Sequence, residues 1–251
     1  MLTYKITSLQ HPSIKHLVKL REDRDYRYQT GSVVLGGLKL IQELSSRFHF
    51  RSILLEEGFI PPFEFEAENL YHVTPQIIKK VSGLQNPEPI VTEIEMPKAQ
   101  DLSAANFLLI LDGISDPGNL GTLLRSACAL GWEGVFLTPG STDPFNDKAI
   151  RAAKGATFTL PWKRGTFEEL ATFLRERNMK LFTADARGKD FSSCGFLPPL
   201  ALALGNEAHG LTKQLKEIGE MIAVPMGGAI ESLNVASVGA IMMYQLKKER
   251  S

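Results

Sequence analysis

Residues 221–246 read MIAVPMGGAIESLNVASVGAIMMYQL, and the fold turns on how that stretch is read. It begins as a short apolar strand, MIAVPM, interrupted by Pro225. It passes Gly227 and Gly228, then three polar residues, Glu231, Ser232 and Asn234, at the mouth of a helix. From Leu233 to Leu246 only Asn234, Ser237, Gln245 and, in part, Tyr244 are polar. A helix of that composition is buried on most sides. One face packs on its own sheet. The other asks for a partner, and the small residues Ala236, Gly239 and Ala240 permit close approach. Two readings stand: a homodimer through this C-terminal helix, or a central helix buried within one chain. The polar mouth also has two readings. Ser and Asn cap orphan amide hydrogens at helix starts, or the residues form a ligand site.

Working outward, residues 105–251 alternate strand and helix. Strands read at NFLLILDGI (106–114), GVFLTP (134–139), TFTLPW (157–162), KLFTAD (180–185), LALALG (200–205) and MIAVPM (221–226). Helices read at 119–131, 146–155, 166–177, 211–219 and 233–249. Several strands are continuous apolar runs, as in a parallel sheet covered on both faces. The reading is an α/β, Rossmann-like parallel sheet. Ligands of such sheets sit at the carboxyl ends of the strands. The turn after the first strand, DGISDPGNLG, places Gly113, Gly118 and Gly121 at the wrong spacing for G-x-G-x-x-G. No convincing acidic residue follows the second strand to hold a ribose, so a nicotinamide dehydrogenase or an ordinary Rossmann methyltransferase is disfavoured. The unusual loops come late, at GNEAHG and PMGGAIESLN.

The segment PKAQDLSAA, near residues 97–105, reads as a linker, placed at 98–104. Residues 1–97 before it read as a small α/β unit. Its helices are expected at 11–27, 38–48 and 75–83, and its strands at 32–37, 51–57, 69–73 and 88–96.

The chain has 251 residues, 43% hydrophobic and 22% charged, with zero formal net charge. Charge is uneven all the same. Residues 1–51 carry nine Lys/Arg against four Asp/Glu, and residues 52–100 carry three against eight. Lys148, Arg151, Lys154, Lys163 and Arg164 form a second acid-free basic run. Such patches suit a phosphate-rich partner or are solvated helix faces. Cys128 and Cys194 lack metal or disulfide-framework spacing, which makes a reduced cytoplasmic protein the default. The five histidines form no ligand set, so no metal is expected. No apolar run approaches the roughly 18 residues of a membrane span.

Three segments carry the functional signal: LDGISDPGNLGTLLRSACALGW (111–132), LALGNEAHGL (202–211) and IAVPMGGAIESLNVASVGAIMMYQL (222–246). In that order and spacing they resemble the three motifs of the SpoU-type, or TrmH-like, RNA 2′-O-ribose methyltransferases of the SPOUT superfamily. Residues 142–161 also resemble that family's text. The resemblance implies a SPOUT fold with a C-terminal deep trefoil knot over 105–251, whose loops bind S-adenosylmethionine in a bent form. It further implies a ribosomal-protein-like RNA substrate-binding domain over 1–97 and a homodimer. By motif position, Gly205, Val224 and Leu233 contact the cofactor, with Leu204 and Met226 beside them. For Val224 and Leu233, plain core packing is the bland reading, and the two are compatible.

The same resemblance gives Asn119, Arg125, Glu207, Ser232 and Asn234 as the catalytic set. Asn119 and Arg125 are six apart on one helix, so both can lean toward the same strand ends. The 2′-hydroxyl is a weak nucleophile, so its proton must be taken or its charge stabilised. A guanidinium stays protonated to about pH 12 or above. Arg125 therefore suits gripping a phosphate and stabilising an alkoxide better than acting as base. Glu207 either orients Arg125 or bonds the target base. The chain departs from the family pattern at Gly36-Gly37, where a Glu-Gly pair is usual, and at Ala208, where glycine is common. The expected substrate is ribosomal RNA, because simpler tRNA-acting relatives lack the first domain. Two alternatives are a tRNA methyltransferase and a non-catalytic RNA-binding or ribosome-assembly protein that retains the fold.

Overall fold

The computed structural model describes residues 1–228 and 232–248; Glu231 and the expected helix end at Glu249 lie outside the described residues. The chain divides into two compact units, Met1–Pro97 with Phe145–Ile150, and Lys98–Pro144 with Arg151–Ser251.

The first unit contains β1 (Leu2–Ile6), α1 (Pro12–Glu22), α2 (Arg24–Thr30), β2 (Ser32–Gly36), α3 (Leu38–Ser45), β3 (Phe50–Glu56), β4 (Ala67–Val73), α4 (Pro75–Ser82) and β5 (Ile90–Glu95). Its strands form one sheet in the order β1-β4-β3-β5-β2. β1, β4 and β3 run parallel, and β5 is antiparallel to both β3 and β2. The single helix expected over 11–27 is in fact two. Asp23 has an extended backbone that closes α1, and its carboxylate accepts the Tyr26 N–H at 3.0 Å to open α2. Apolar periodicity runs through this break, so only the capping chemistry marks it. β1 is an addition to the sequence reading. LTYKI is exposed at every residue but Ile6 and pairs only with β4, so it carries no buried alternation. One face of the sheet is covered by α1 and α4, where Leu17, Leu20, Ile77 and Val81 meet Val34, Leu54, Val73 and Val91.

The rest of the chain forms β6 (Phe107–Asp112), α5 (Pro117–Ala129), β7 (Gly134–Leu137), α6 (Asp147–Ala153), β8 (Trp162–Arg164), α7 (Phe167–Glu176), β9 (Lys180–Asp190), β10 (Leu200–Gly205), α8 (Lys213–Ile218), β11 (Glu220–Ala223) and α9 (Val235–Lys248). The six strands make one sheet, ordered β11-β9-β10-β6-β7-β8, with every neighbouring pair parallel. β6 is buried at every residue and β10 at all but Gly205, which is why both read as unbroken apolar runs.

Two strand expectations change. TFTLPW is not a strand over 157–162. After Gly155, at φ 90°, Ala156–Phe158 makes a 3-10 turn, and β8 starts only at Trp162. The N–H groups of Phe158, Thr159 and Leu160 bond back to Gly155 and Ala156, and Pro161 has none, so residues 158–161 offer no donor to a ladder. MIAVPM ends at Ala223, before Pro225. β9 also runs on past the expected Asp185 to Asp190. β11 follows it with a jump in register, Met221 facing Thr183 and Ile222 facing Lys189. A Cβ on Gly188 would strike the Ile222 backbone, so glycine permits this crossing.

α9 buries Ala236, Gly239, Met242, Met243 and Leu246. A Cβ on Gly239 would enter the space of Leu123 and Leu204, so the close approach that this small residue permits is to α5 and β10 of the same chain. The opposite stripe is open: Ser237 is exposed, with Ile241 at 41% and Tyr244 at 54%.

Candidate functional site

A cavity of about 600 Å³ opens at the carboxyl end of β10. Three groups of residues wall it: Ala184–Ala186 within β9, Leu204–Gly210 at the end of β10, and Ala223, Val224 and Met226 with Ser232–Val235 at the start of α9. Its volume lies within the roughly 300–1,000 Å³ of small-molecule sites. The position agrees with the carboxyl-end rule for parallel sheets.

All five residues expected to hold a cofactor line it: Leu204, Gly205, Val224, Met226 and Leu233. Leu204 is fully buried at the floor, Val224 is half-buried, and Met226 and Leu233 are exposed. Core packing therefore does not account for Leu233. Val238 and Met242 of α9 add to the apolar wall. Gly205 has a specific steric reason. A Cβ there would collide with the backbone of Gly210 and Leu211, where the loop folds back on itself. Asn206 fixes that fold. It exchanges backbone hydrogen bonds with Gly210, its Oδ1 accepts from the Ala208 and His209 N–H groups, and its Nδ2 donates to the Gly113 carbonyl at 2.8 Å.

Of the expected catalytic set, Glu207, Ser232 and Asn234 line the cavity, while Asn119 and Arg125 stand on α5. Asp116 starts α5, its carboxylate accepting the Asn119 N–H at 2.8 Å. The side chain of Asn119 then bridges two loops. Its Nδ2 donates to Glu207 Oε1 at 2.9 Å, and its Oδ1 accepts from Asn234 Nδ2 at 3.0 Å. The other oxygen of Glu207 accepts from the Ser115 hydroxyl at 3.0 Å and the Ser115 N–H at 3.3 Å. Burial works to raise the Glu207 carboxyl. Hydrogen bonds from Asn119, its own backbone and Ser115 outweigh that and hold it below its ordinary value. It is an ionised acceptor and a weak base.

Arg125 stands exposed on α5 and makes no hydrogen bond or ion pair with any described residue. Its expected link to Glu207 is absent among the described residues; Asn119 and Ser115 take that place. Ser232 contributes exposed lining. The structure adds residues that the sequence reading lacked. Ser115 and Asn206 fix the loops, and Asp185 and Lys216 form an ion pair at 3.2 Å on the cavity wall. Asp185 is held far below the usual carboxylate range, chiefly by the fork of hydrogen bonds from Arg187; burial opposes this, and Lys216 adds to the lowering. No local pattern announces these pairs, since Ser115 and Glu207 are 92 positions apart.

Among the described residues no group of three His, Cys, Asp or Glu side chains could hold a metal ion. No described helix is long and apolar enough to cross a membrane.

The model of the SpoU rRNA Methylase family matches residues 106–244, and that of the MRM3-like substrate binding domain matches residues 11–92. A Bacillus subtilis protein named 23S rRNA (guanosine(2553)-2'-O)-methyltransferase is 31% identical over 247 residues, covering 97% of this chain and 99% of its own. The solved structure of an AdoMet-bound rRNA methyltransferase from Sinorhizobium meliloti is similar at 26% identity and TM-score 0.86, covering 98% of each chain. A structure titled for 2-OH methylation of C/U34 on tRNA is 25% identical with TM-score 0.52, and covers 58% of this chain and 97% of its own.

Proposed function

We propose, from the premise that this chain belongs to the SpoU rRNA methylase family, that it transfers a methyl group from S-adenosylmethionine to a ribose 2′-hydroxyl of ribosomal RNA. The observation that carries the reading is the convergence of Asn119, Glu207 and Asn234, from three separate segments, beside one apolar-walled cavity.

The cavity suits the cofactor chemically. Leu204, Val224, Met226, Leu233, Val238 and Met242 offer an apolar wall for an adenine, and Asp185 and Glu207 offer acceptors. Lys216, the lysine in the lining, is neutralised by Asp185, which leaves the cavity compatible with a sulfonium cation. Leu204, Gly205, Val224, Met226 and Leu233 are the residues assigned to hold it. When bound, S-adenosylmethionine supplies an electrophilic methyl group.

The chain's own part is positioning and electrostatics. Glu207, ionised and engaged by Asn119 and Ser115, fixes the Asn119 amide rather than removing the proton. Asn234 holds that amide from its other side. Arg125 grips an RNA phosphate and stabilises the developing alkoxide, and Ser232 faces the substrate from the loop before α9. The hydroxyl proton leaves to a phosphate oxygen or water.

Residues 1–97 are assigned as the RNA substrate-binding domain, 98–104 as linker and 105–251 as the methyltransferase domain. The match to the MRM3-like substrate binding domain supports the first assignment. Coverage favours rRNA over tRNA: the relative named for 23S rRNA spans 97% of this chain, the structure titled for tRNA 58%. The C-terminal chain is assigned a trefoil-knotted path. In support, β11 lies at the sheet edge beyond β9, and the chain then returns to the cavity before α9 packs on α5. The open stripe on α9 is assigned to a homodimer, and the protein to the cytoplasm.

The test is transfer of labelled methyl from S-adenosylmethionine to rRNA and tRNA from cells lacking the gene, with Arg125→Ala as control. Label in rRNA with the wild type, at least 100-fold less with a variant of unchanged melting temperature, is expected. Label in tRNA alone would reassign the substrate. Failure of S-adenosylmethionine to raise the melting temperature would overturn the reading, since a ligand bound only by the native state must raise it.

A further inference from the structure

The first unit has a cavity of its own, about 300 Å³, lined by Pro12, Ser13, His16, Leu17, Ser52, Asn69, Tyr71 and Glu93. Its floor is an anomaly in the sheet. The face under α1 is apolar where Val34, Leu54, Val73 and Val91 meet the helices, and turns polar toward the other end. There Asn69, Ser52 and Glu93 stand in register on the neighbouring strands β4, β3 and β5, so a polar row crosses three strands. Neighbouring strands lie about 4.8 Å apart, which keeps the row within the reach of one small ligand.

Glu93 is 7% exposed, a charged side chain in a sheet interior. A buried carboxylate is costly unless it is paired. It accepts from His16 Nε2 at 3.1 Å and from the Ser52 hydroxyl at 3.2 Å. A carboxylate offers about four lone-pair sites, so about two remain. The Asn69 Nδ2 gives one of its two N–H groups to the Arg51 carbonyl, and its Oδ1 accepts from no described residue. The unclaimed capacity of the Glu93–Asn69 pair is therefore mainly acceptor capacity, and the second Asn69 N–H and the Ser13 and Tyr71 hydroxyls leave donors beside it. The Tyr71 ring stands beside it on the same strand as Asn69, and Leu17 supplies an apolar wall.

A ligand for this cavity is planar, small and rich in N–H groups on one edge. Resting on the reading that the substrate is RNA, we propose that the cavity of the first unit receives a single unpaired guanine base of that RNA, read by Glu93 and Asn69 and covered by Tyr71. Sequence-specific RNA recognition targets splayed-out bases that lie against aromatic rings and bond through their edges. Guanine alone presents N1–H and the 2-amino group together on its pairing edge. Uracil brings one ring N–H, and adenine and cytosine bring one amino group each. The volume of about 300 Å³ is sufficient for one base. A purely structural role for His16–Glu93, fastening α1 to the sheet, gives no such base preference.

The experiment uses the full chain and four labelled single-stranded RNA 12-mers, identical except for G, A, C or U at the centre of an oligo-U background. Binding is read by fluorescence anisotropy. The wild type is expected to bind the G oligomer at least fivefold more tightly than the others. Asn69→Ala and Glu93→Gln, each shown folded by its melting curve, are expected to bind all four alike. Tyr71→Leu is expected to weaken the G oligomer most. Equal wild-type affinities, no binding, or a preference surviving in Asn69→Ala would overturn the proposal. Methyl transfer to rRNA by the same preparation separates the two readings. Transfer without guanine preference removes this site and keeps the activity.

Discussion

Asn119→Asp is the substitution that tests the site most sharply, because it changes one atom of the hub. In the wild type the Asn119 Nδ2 donates to Glu207 Oε1 at 2.9 Å. The variant puts a carboxylate oxygen where that donor was and loses the bond. Two unit charges at that separation repel by about 1.4 kcal/mol in a medium of ε about 80, and about 6 kcal/mol at ε about 20. Glu207 is exposed, so solvent screening and a swing of the new carboxylate keep the cost toward the lower value. A lost hydrogen bond at an exposed site adds about 1 kcal/mol. The closed network is then disfavoured by about 2–4 kcal/mol, equivalent to about 30- to 1,000-fold in rate if methyl transfer requires it. The pH signature separates this mechanism from a simple loss of contact. Two adjacent carboxylates share a proton, and the pair's upper pKa rises. As pH falls toward that value, a protonated member donates to its neighbour and the network closes again. Asn119→Asp is therefore expected to lose most activity at alkaline pH and to recover part of it on acidification. Asn119→Ala is expected to lose activity without that recovery. The assay is kcat/KM for methyl transfer to rRNA between pH 6 and 9. An Asp variant within twofold of wild type at every pH would refute the reasoning.

Three further outcomes are expected. Gly239→Ala places a methyl group against Leu123 and Leu204. Overpacking of that kind costs about 1–3 kcal/mol, and an unchanged urea midpoint would show that α9 can shift instead. Ile241→Arg with Tyr244→Arg puts charge on the open stripe of α9, so sedimentation is expected to give a dimer for wild type and a monomer of unchanged melting temperature for the variant. Glu207 has a folded-state pKa below the ordinary 4.5, so the stability it contributes is present above that value and is lost as pH falls through the lowered one. Glu207→Gln removes this part of the acid limb of a melting-temperature profile between pH 3 and 6, and two superimposable profiles would count against the network.

The centre of the parallel sheet was legible because β6 and β10 are buried on both faces. FLLILD and LALALG contain no solvent face to break the apolar run. β1 was illegible for the converse reason, being an exposed edge strand with one neighbour. TFTLPW misled because buried threonine and phenylalanine read as strand whether a ladder or a 3-10 turn buries them. Gly155 before the run and Pro161 within it were the local signals against a ladder. The site was legible as motifs and illegible as bonds. Spacing within α5 relates Asn119 to Arg125, yet the partners that fix Asn119 lie 88 and 115 positions away. A single sequence holds no local pattern at those separations. Glu207 could be singled out, but its partners could not.

The polar mouth of α9 shows why two local readings of one residue need not compete. A capping aspartate accepts the helix N–H through one oxygen and has no hydrogen to donate elsewhere, and a capping serine keeps only the hydrogen of one short hydroxyl. An asparagine amide has two chemically different ends. Asn234 Oδ1 accepts the Ala236 N–H at 2.8 Å, which caps α9, while Nδ2 donates to Asn119 at 3.0 Å. The cap fixes the side chain that reaches across to the hub, and the hub fixes the start of the helix. Serine at this position would keep the cap and lose the bridge, and leucine would lose both. Asn234→Ser is therefore the variant in which stability and methyl transfer should part company. It keeps a good N-cap, so the melting temperature is expected to stay within a few degrees of wild type. It leaves Asn119 Oδ1 without its donor, so the methyl-transfer rate is expected to fall by about tenfold, as for the loss of about 1.4 kcal/mol. Equal retention of both would show that the Asn119–Asn234 bridge has no part in the chemistry.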